Sequence, residues 1–353
     1  MKKDSSKDML VWLKILFHPV YFAIILFSFT VISNGCSNNE RKRIDLSGID
    51  VEIEIKRLEE DLYNLEFDRI DEGVEYLKEK YGEFFDIYNH LIIKIGSHES
   101  PAYNGYLMNF LTDYDIHQLQ MEVKEVFPGL GELEAGLSES FRRYKYFFPG
   151  NPVPAVYTYI AGFNQSIATA DSILAIGLDK YLGEGHTFYE QLHLPRYKQM
   201  NMHPGKILPD CMKAWAITEF EYVDSVDNLV ANMIYNGRIM YFKKMMLPHE
   251  HDTLITGFTS PQLEWCRKNE DLMWTYLVEN KLLFTTNKRD ISRLVNEGPF
   301  TAEFTRESPA RAVVWLGWQI AESYMKRNPG ITLEQFMNDH DYQRILNDAR
   351  YRP

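Results

Sequence analysis

The sequence predicts an α+β fold, a predominantly helical single domain carrying a small sheet. Three observations support this. Apolar residues recur at three- and four-residue spacing through most of residues 74–324. Two short runs between 156 and 176 are rich in β-formers, and no repeat, low-complexity tract or Pro-rich linker divides the chain after residue 50. Hydrophobic residues make up 45% of the 353-residue chain, enough for a sizeable core, and aromatics 14%, more than packing alone demands.

Val51, Ile53 and Ile55 alternate with Glu52, Glu54 and Lys56, which predicts a strand with one buried face. A polar tether over residues 36–49 precedes it, so the globular domain covers 50–353. Val74, Leu77, Tyr81, Phe84, Tyr88, Leu91 and Ile95 fall on one stripe of a long helix. Ile116, Leu119, Val123 and Val126 predict a shorter helix stopped by Pro128-Gly129, and the stretch from Leu130 to Phe148 another. Residues 156–160 and 172–176 read as two sheet strands bounded by Gly and Asp. A loop bearing Gly and His then leads through Pro204-Gly205 into a helix with Ile207, Leu208, Cys211, Met212, Trp215, Ala216 and Phe220 on one face, followed by a helix from Val226 to Met240. Thr259-Ser260-Pro261 and Ser308-Pro309 each combine a hydroxyl cap with an early proline. They predict one helix through Trp265 and Trp274 toward Leu277, and another through Trp315 and Trp318 to Tyr324. Thr332 and Gln335 form a capping box for a short terminal helix.

The first 35 residues read as a lipoprotein signal peptide. Lys2, Lys3, Lys7 and Lys14 outnumber Asp4 and Asp8 and lead into the apolar run Ile15–Ile32, which ends in Ser33-Asn34-Gly35-Cys36. Small residues before a cysteine suit acylation of the thiol (a palmitate-type modification) and cleavage before it, although Ser33 stands where Leu, Val or Ile is usual. An uncleaved anchor is the alternative, since a run of about 18 residues just crosses a bilayer. In either case the lipid bilayer is a partner, through acylated Cys36 in the first, and the chain is held in the cell envelope. Ser37 in place of Asp, and the basic Arg41-Lys42-Arg43, favour a periplasm-facing lipoprotein, with the membrane itself left open. Removing four Lys and two Asp with the signal takes the formal charge from −12 to −14, which disfavours nucleic acid. Cys211 and Cys266 either pair in an oxidising compartment or act as small buried apolar side chains.

The chemistry-bearing motifs are sparse. His249-Glu250-His251 is the densest ligand cluster. Histidines two apart share a face only in an extended segment, whereas a zinc-binding helix needs them four apart, so a solvated turn is the favoured reading over a metal site. The sequence contains no HExxH, nucleophile elbow, phosphate-cradling glycine loop or CxxC pair, so no catalytic residue and no cofactor is assigned, and the balance leans away from an enzyme. Trp265, Trp274, Trp315 and Trp318, with Arg311, either line a pocket for a peptide or glycan or pack into the core, and core is the commoner fate of such residues. Arg311 is then expected to pair with a carboxylate.

Several strings point to a known family: Pro261-Gln262-Leu263-Glu264-Trp265-Cys266 with Asn269-Glu270 and Trp274; Ser308-Pro309-Ala310-Arg311 with Trp315-Leu316-Gly317-Trp318-Gln319-Ile320; Phe148-Pro149; the stretch Ile176–Gly183; and the ending Tyr351-Arg352-Pro353. The chain resembles the gliding-motility lipoprotein GldB family of Bacteroidetes. The resemblance implies a component of surface gliding, working with other envelope, gliding or secretion proteins, with no activity or cofactor assigned. The family is more remotely similar to predicted zinc peptidases, which implies a degenerate zincin-like metallopeptidase fold. By element order the helix bearing Cys211 and Trp215 replaces HExxH, and Asn236-Gly237 stands where an acidic ligand and glycine are expected. The reading is thus a non-catalytic lipoprotein, with a zinc-dependent peptidase or a glycan- or peptide-binding lipoprotein as alternatives.

Overall fold

A computed structural model describes residues 44–223 and 227–353. The signal segment, Cys36 and most of the tether lie outside the described residues. At the centre is a four-stranded sheet in the order β1-β2-β4-β3, with β1 Ile55–Arg57, β2 Ala155–Tyr159, β3 Ile167–Ala170 and β4 Ile173–Gly177. β1, β2 and β4 run parallel, and β3 is the antiparallel edge strand, with Ile167 opposite Ile176 and Ala170 opposite Ile173. Successive side chains of a strand point to opposite faces. Val156, Leu174 and Ile176 accordingly enter a large core, while Tyr157, Tyr159, Ile173 and Ala175 enter a smaller one on the other face. A sheet buried on both faces explains why β2 and β4 read as continuous apolar runs.

Helices of eight or more residues are α1 Ile70–Tyr81, α2 Tyr103–Thr112, α3 Tyr114–Val126, α4 Gly131–Phe147, α5 Ile207–Glu219, α6 Leu229–Met246, α7 Ser260–Lys268, α8 Glu270–Glu279, α9 Lys288–Val295, α10 Ala312–Arg327 and α11 Tyr342–Ala349. Buried side chains of α1 and α2 cover the smaller core, and those of α4, α5, α6 and α10 form the larger. Leu46–Pro353 folds as one compact unit. The centre of the larger core is the crossing of α6 and α10 at two glycines. A Cβ on Gly237 would lie 2.1 Å from the carbonyl carbon of Gly317, and one on Gly317 would lie 1.9 Å from the Met233 carbonyl oxygen. Neither distance is compatible with a side chain, so glycine at both positions lets the backbones touch.

The expected single domain of helices with a small sheet is found. The capping boxes of Thr259 with Gln262 and Thr332 with Gln335 both form. Four local expectations are corrected. The long helix from Val74 to Ile95 breaks at Gly82, whose φ of 52° and ψ of −131° reverse the chain before a short helix Glu83–Ile87. The helix from Pro261 to Leu277 divides at Asn269 into α7 and α8. The alternating run Val51–Ile55 pairs as a strand only from Ile55, because the Ile53 and Ile55 N–H groups donate to Ser138 Oγ and Glu134 Oε1 of α4, each at 2.9 Å. Ser308 does not cap α10. Its hydroxyl donates to the Thr305 carbonyl and accepts from Thr301 N–H, and α10 begins four residues later, at Ala312, behind Arg311 in the left-handed region at φ 56°. The strand β3 is an addition that the sequence reading lacked.

Candidate binding cleft

The four tryptophans and the His-Glu-His cluster fall at separate places. Trp315 and Trp318 are buried on α10, Trp265 packs near Phe304 with ring centroids 6.1 Å apart, and Trp274 meets Tyr351 edge-on at 5.2 Å. His249 is exposed, and His251 Nδ1 accepts from Thr253 N–H at 3.3 Å, capping the short helix Asp252–Thr256. The Glu250 carbonyl accepts from Lys244 Nζ at 2.7 Å. Among the described residues no group of three or more His, Cys, Asp or Glu is placed to hold a metal ion. Cys211 and Cys266 are both buried and unpaired.

Of the residues singled out above, Arg311 and Asn236 line a cavity. Two connected chambers, about 660 and 290 Å³, share Ser166, Asn201, Asp210, Gly257, Glu297 and Arg311. The wider chamber is also lined by Leu194, Met200 and Phe258 and by Lys180, Arg196 and Lys198. Into the narrower one project Lys206, which immediately precedes α5, with Asp210, Lys213 and Ala214 of α5, and Asn236, Met240 and Lys243 of α6. These are positions three and four apart, so each helix turns one stripe to the cleft while Cys211, Met212, Trp215 and Ala216 of α5 face the core. The β3 end of the sheet supplies Ser166 and Ile167 as the remaining wall.

Three cations hold the cleft in shape by binding consecutive backbone carbonyls where the helix Asp252–Thr256 ends. Lys206 Nζ donates to the Leu254 oxygen at 2.8 Å, Lys243 Nζ to that of Ile255, and Arg311 Nη2 to that of Thr256 at 2.8 Å. Such carbonyls lack helical partners and carry the negative end of the helix dipole. Arg311 also lies over the Phe258 ring, 5.6 Å from its centroid, so the carboxylate pairing expected of it is replaced by a carbonyl and a ring face. Asp210 pairs with Lys206 at 3.3 Å and accepts from Tyr181 Oη at 3.2 Å. Lys213 has no hydrogen-bond or ion-pair partner among the described residues. Desolvation lowers the pKa of Lys213, with the Arg311 charge adding to it, and lowers that of Lys243 well below the usual lysine range, with Lys206 adding to it.

Behind the cleft wall, Asp179 ties the ends of β2 and β4 together. Its Oδ2 accepts from Ala161 N–H at 3.1 Å and Phe163 N–H at 2.7 Å, while burial raises its pKa to about 6. Lys180, next in sequence, donates to the Phe163 carbonyl at 3.2 Å and faces the wider chamber.

A family model described as gliding motility protein GldB matches residues 39–353. The chain belongs to the GldB family. No curated protein and no solved structure matches it. The GldB match covers every described residue, cleft included, and ties the chain to gliding motility; the family's designation as a lipoprotein suggests an envelope-anchored protein. Among the described residues no helix is long and apolar enough to cross a membrane. The cleft residues were missed because Lys206, Asp210 and Lys213 at i, i+4 and i+7 look like any solvated helix face. The available signal was that this polar stripe adjoins Cys211, Met212 and Trp215 on a helix with little other polar surface.

Proposed function

We propose that the protein is a lipid-anchored, non-catalytic component of the gliding apparatus and its associated secretion machinery, acting through binding at the cleft between α5 and α6. The observation that carries this reading is the cleft's chemistry. Three of the four cations in its narrower chamber are bound to main-chain carbonyls, which suits holding a shape and attracting a ligand better than transferring a proton or attacking a substrate. Cys211, the nucleophilic residue on α5, supports the same reading, since its side chain is buried in the core and burial raises its thiol pKa well above the ordinary value. Anchoring through acylated Cys36, in a periplasm-facing position, places such a binding domain within reach of other envelope proteins.

The test is genetic. Clean deletion of the gene is expected to abolish spreading, and the wild-type gene to restore it. Cys36→Ala is expected to lose lipid labelling and membrane association and to fail to restore spreading. A deletion strain that spreads normally would overturn the reading, and so would stoichiometric zinc together with peptidase activity in protein purified without added metal.

A further inference from the structure

The cleft's charge runs against that of the whole molecule. The chain is acidic, with 50 Asp and Glu against 38 Lys and Arg. Yet the inner chamber sets Lys206, Lys213, Lys243 and Arg311 against only Asp210 and Glu297, and Glu297 stands exposed at the rim. The wider chamber adds Lys180, Arg196 and Lys198. Cations gathered in a concave site with low-dielectric walls focus a positive potential that surface lysines do not.

Structural duties leave much of this charge unused. An ammonium carries three donors and a guanidinium five. Lys243, 4% exposed, directs a hydrogen bond to the Ile255 carbonyl, Arg311 directs one to that of Thr256, and Lys213 has no acceptor among the described residues. Of the four inner-chamber cations only Lys206, beside Asp210, has a carboxylate within ion-pair distance among the described residues, while Arg196 of the wider chamber pairs with Glu184 at 3.8 Å. Holding four cations in a partly dehydrated chamber against two carboxylates is unfavourable, and an anion bound there would offset that cost. With all four cations protonated the excess over Asp210 and Glu297 is two formal charges, which a doubly charged anion would balance. Seated against Lys213, Lys243 and Arg311, it would take up the spare donors, while Phe258, Met200 and Leu194 lining the wider chamber suit an apolar or neutral remainder.

We propose that the inner chamber binds a dianionic group, a phosphate monoester or a dicarboxylate, with Lys213, Lys243 and Arg311 as its ligands. This deepens the binding role proposed above and rests on it. Because the groups facing Lys213 and Lys243 are Lys206, Asp210, Arg311 and Glu297, an incoming dianion opposes the desolvation of both lysines. Binding is therefore accompanied by proton uptake, and the affinity falls as pH rises through the lysine pKa values of the empty cleft.

Isothermal titration of the full-length chain in detergent, at fixed ionic strength, tests this with inorganic phosphate, glycerol phosphate and succinate, and with chloride as the monoanion. Saturable binding of phosphate or succinate at least about ten-fold tighter than chloride is expected, and which of the two binds identifies the source of the double charge. Lys213→Gln is expected to weaken it by about ten-fold or more without lowering the melting temperature, and Lys243→Gln, which keeps a donor for the Ile255 carbonyl, to weaken it similarly. Titration in buffers of different ionisation enthalpy reads the proton uptake. Absence of saturation by every dianion, or undiminished affinity in folded Lys213→Gln, would overturn the proposal. The gliding reading stands or falls separately, on the motility of the deletion strain.

Discussion

Arg238 and Lys213 are two cations within one helical assembly, the first fully buried and the second half-buried at a cleft, and they are treated in opposite ways. Arg238, fully buried on α6, gives Nη1 to the carbonyls of Phe336 at 3.0 Å, Met337 at 3.1 Å and Asp339, and gives Nη2 to Tyr342 Oη at 3.1 Å. Its carbon centre lies 5.1 Å from the Tyr342 ring centroid, and only Nε is buried without an acceptor. Lys213 on α5 borders an open chamber and has no such acceptors. The first cation fastens the C-terminal helices to α6, much as a cap does. The second is kept available. Burial alone therefore does not separate the two cations; the number of protein acceptors each one finds does.

That contrast can be broken or sharpened by substitution. Arg238→Met should cost the most, about 3–5 kcal/mol, because it strands buried carbonyls at the end of the helix Leu333–Met337. Denaturant unfolding monitored by circular dichroism reads it, and a loss below about 1 kcal/mol would show that Arg238 is no more structural than Lys213. The neighbouring Gly237→Ala should follow at about 3 kcal/mol, since the new methyl meets the Gly317 backbone, which cannot yield as a side chain does. A loss confined to a few tenths in the same assay would mean that the α6–α10 crossing adapts and is not the fixed frame against which the cleft is held.

Asp179 is the intermediate case, an anion with one oxygen satisfied and the other, Oδ1, buried without a partner among the described residues. Its folded pKa of about 6 lies above the ordinary 3.8, so the folded state holds the proton more tightly than the unfolded one. The stability this contributes is complete below about pH 4 and is lost as pH rises through about 6, a change on the order of 2–3 kcal/mol. Asp179→Asn should flatten the stability profile in that window; a profile as steep as wild type would assign the slope to another group. Lys213→Met should have the smallest effect, within about 0.5–1 kcal/mol and of either sign, because it removes a charge with no partner to lose. A melting temperature lowered as far as that of Arg238→Met would make Lys213 a structural cation and erase the comparison.

The sequence by itself determined the features that act over a few residues. Thr259 with Gln262 and Thr332 with Gln335 cap helices because the bonds involved close within one turn. The runs of β2 and β4 announce a sheet because β-branched and aromatic side chains suit a pleated surface. The family strings, from Phe148-Pro149 to Tyr351-Arg352-Pro353, were equally legible. Where a local signal competes with distant partners, the tertiary structure decided. Ser308 and Pro309 look like a helix start, yet the Ser308 hydroxyl is taken by Thr301 and Thr305. Ile53 looks like a paired strand residue, yet Ser138 takes its N–H. β3 forms because β4 offers it an edge, and Gly237 is required because Gly317, eighty residues on, lies against it. The cleft belongs to this second class: its lysines, Asp210 and Arg311 come from elements scattered between residues 206 and 311, and only packing turns ordinary charged side chains into a chamber with an uncompensated charge.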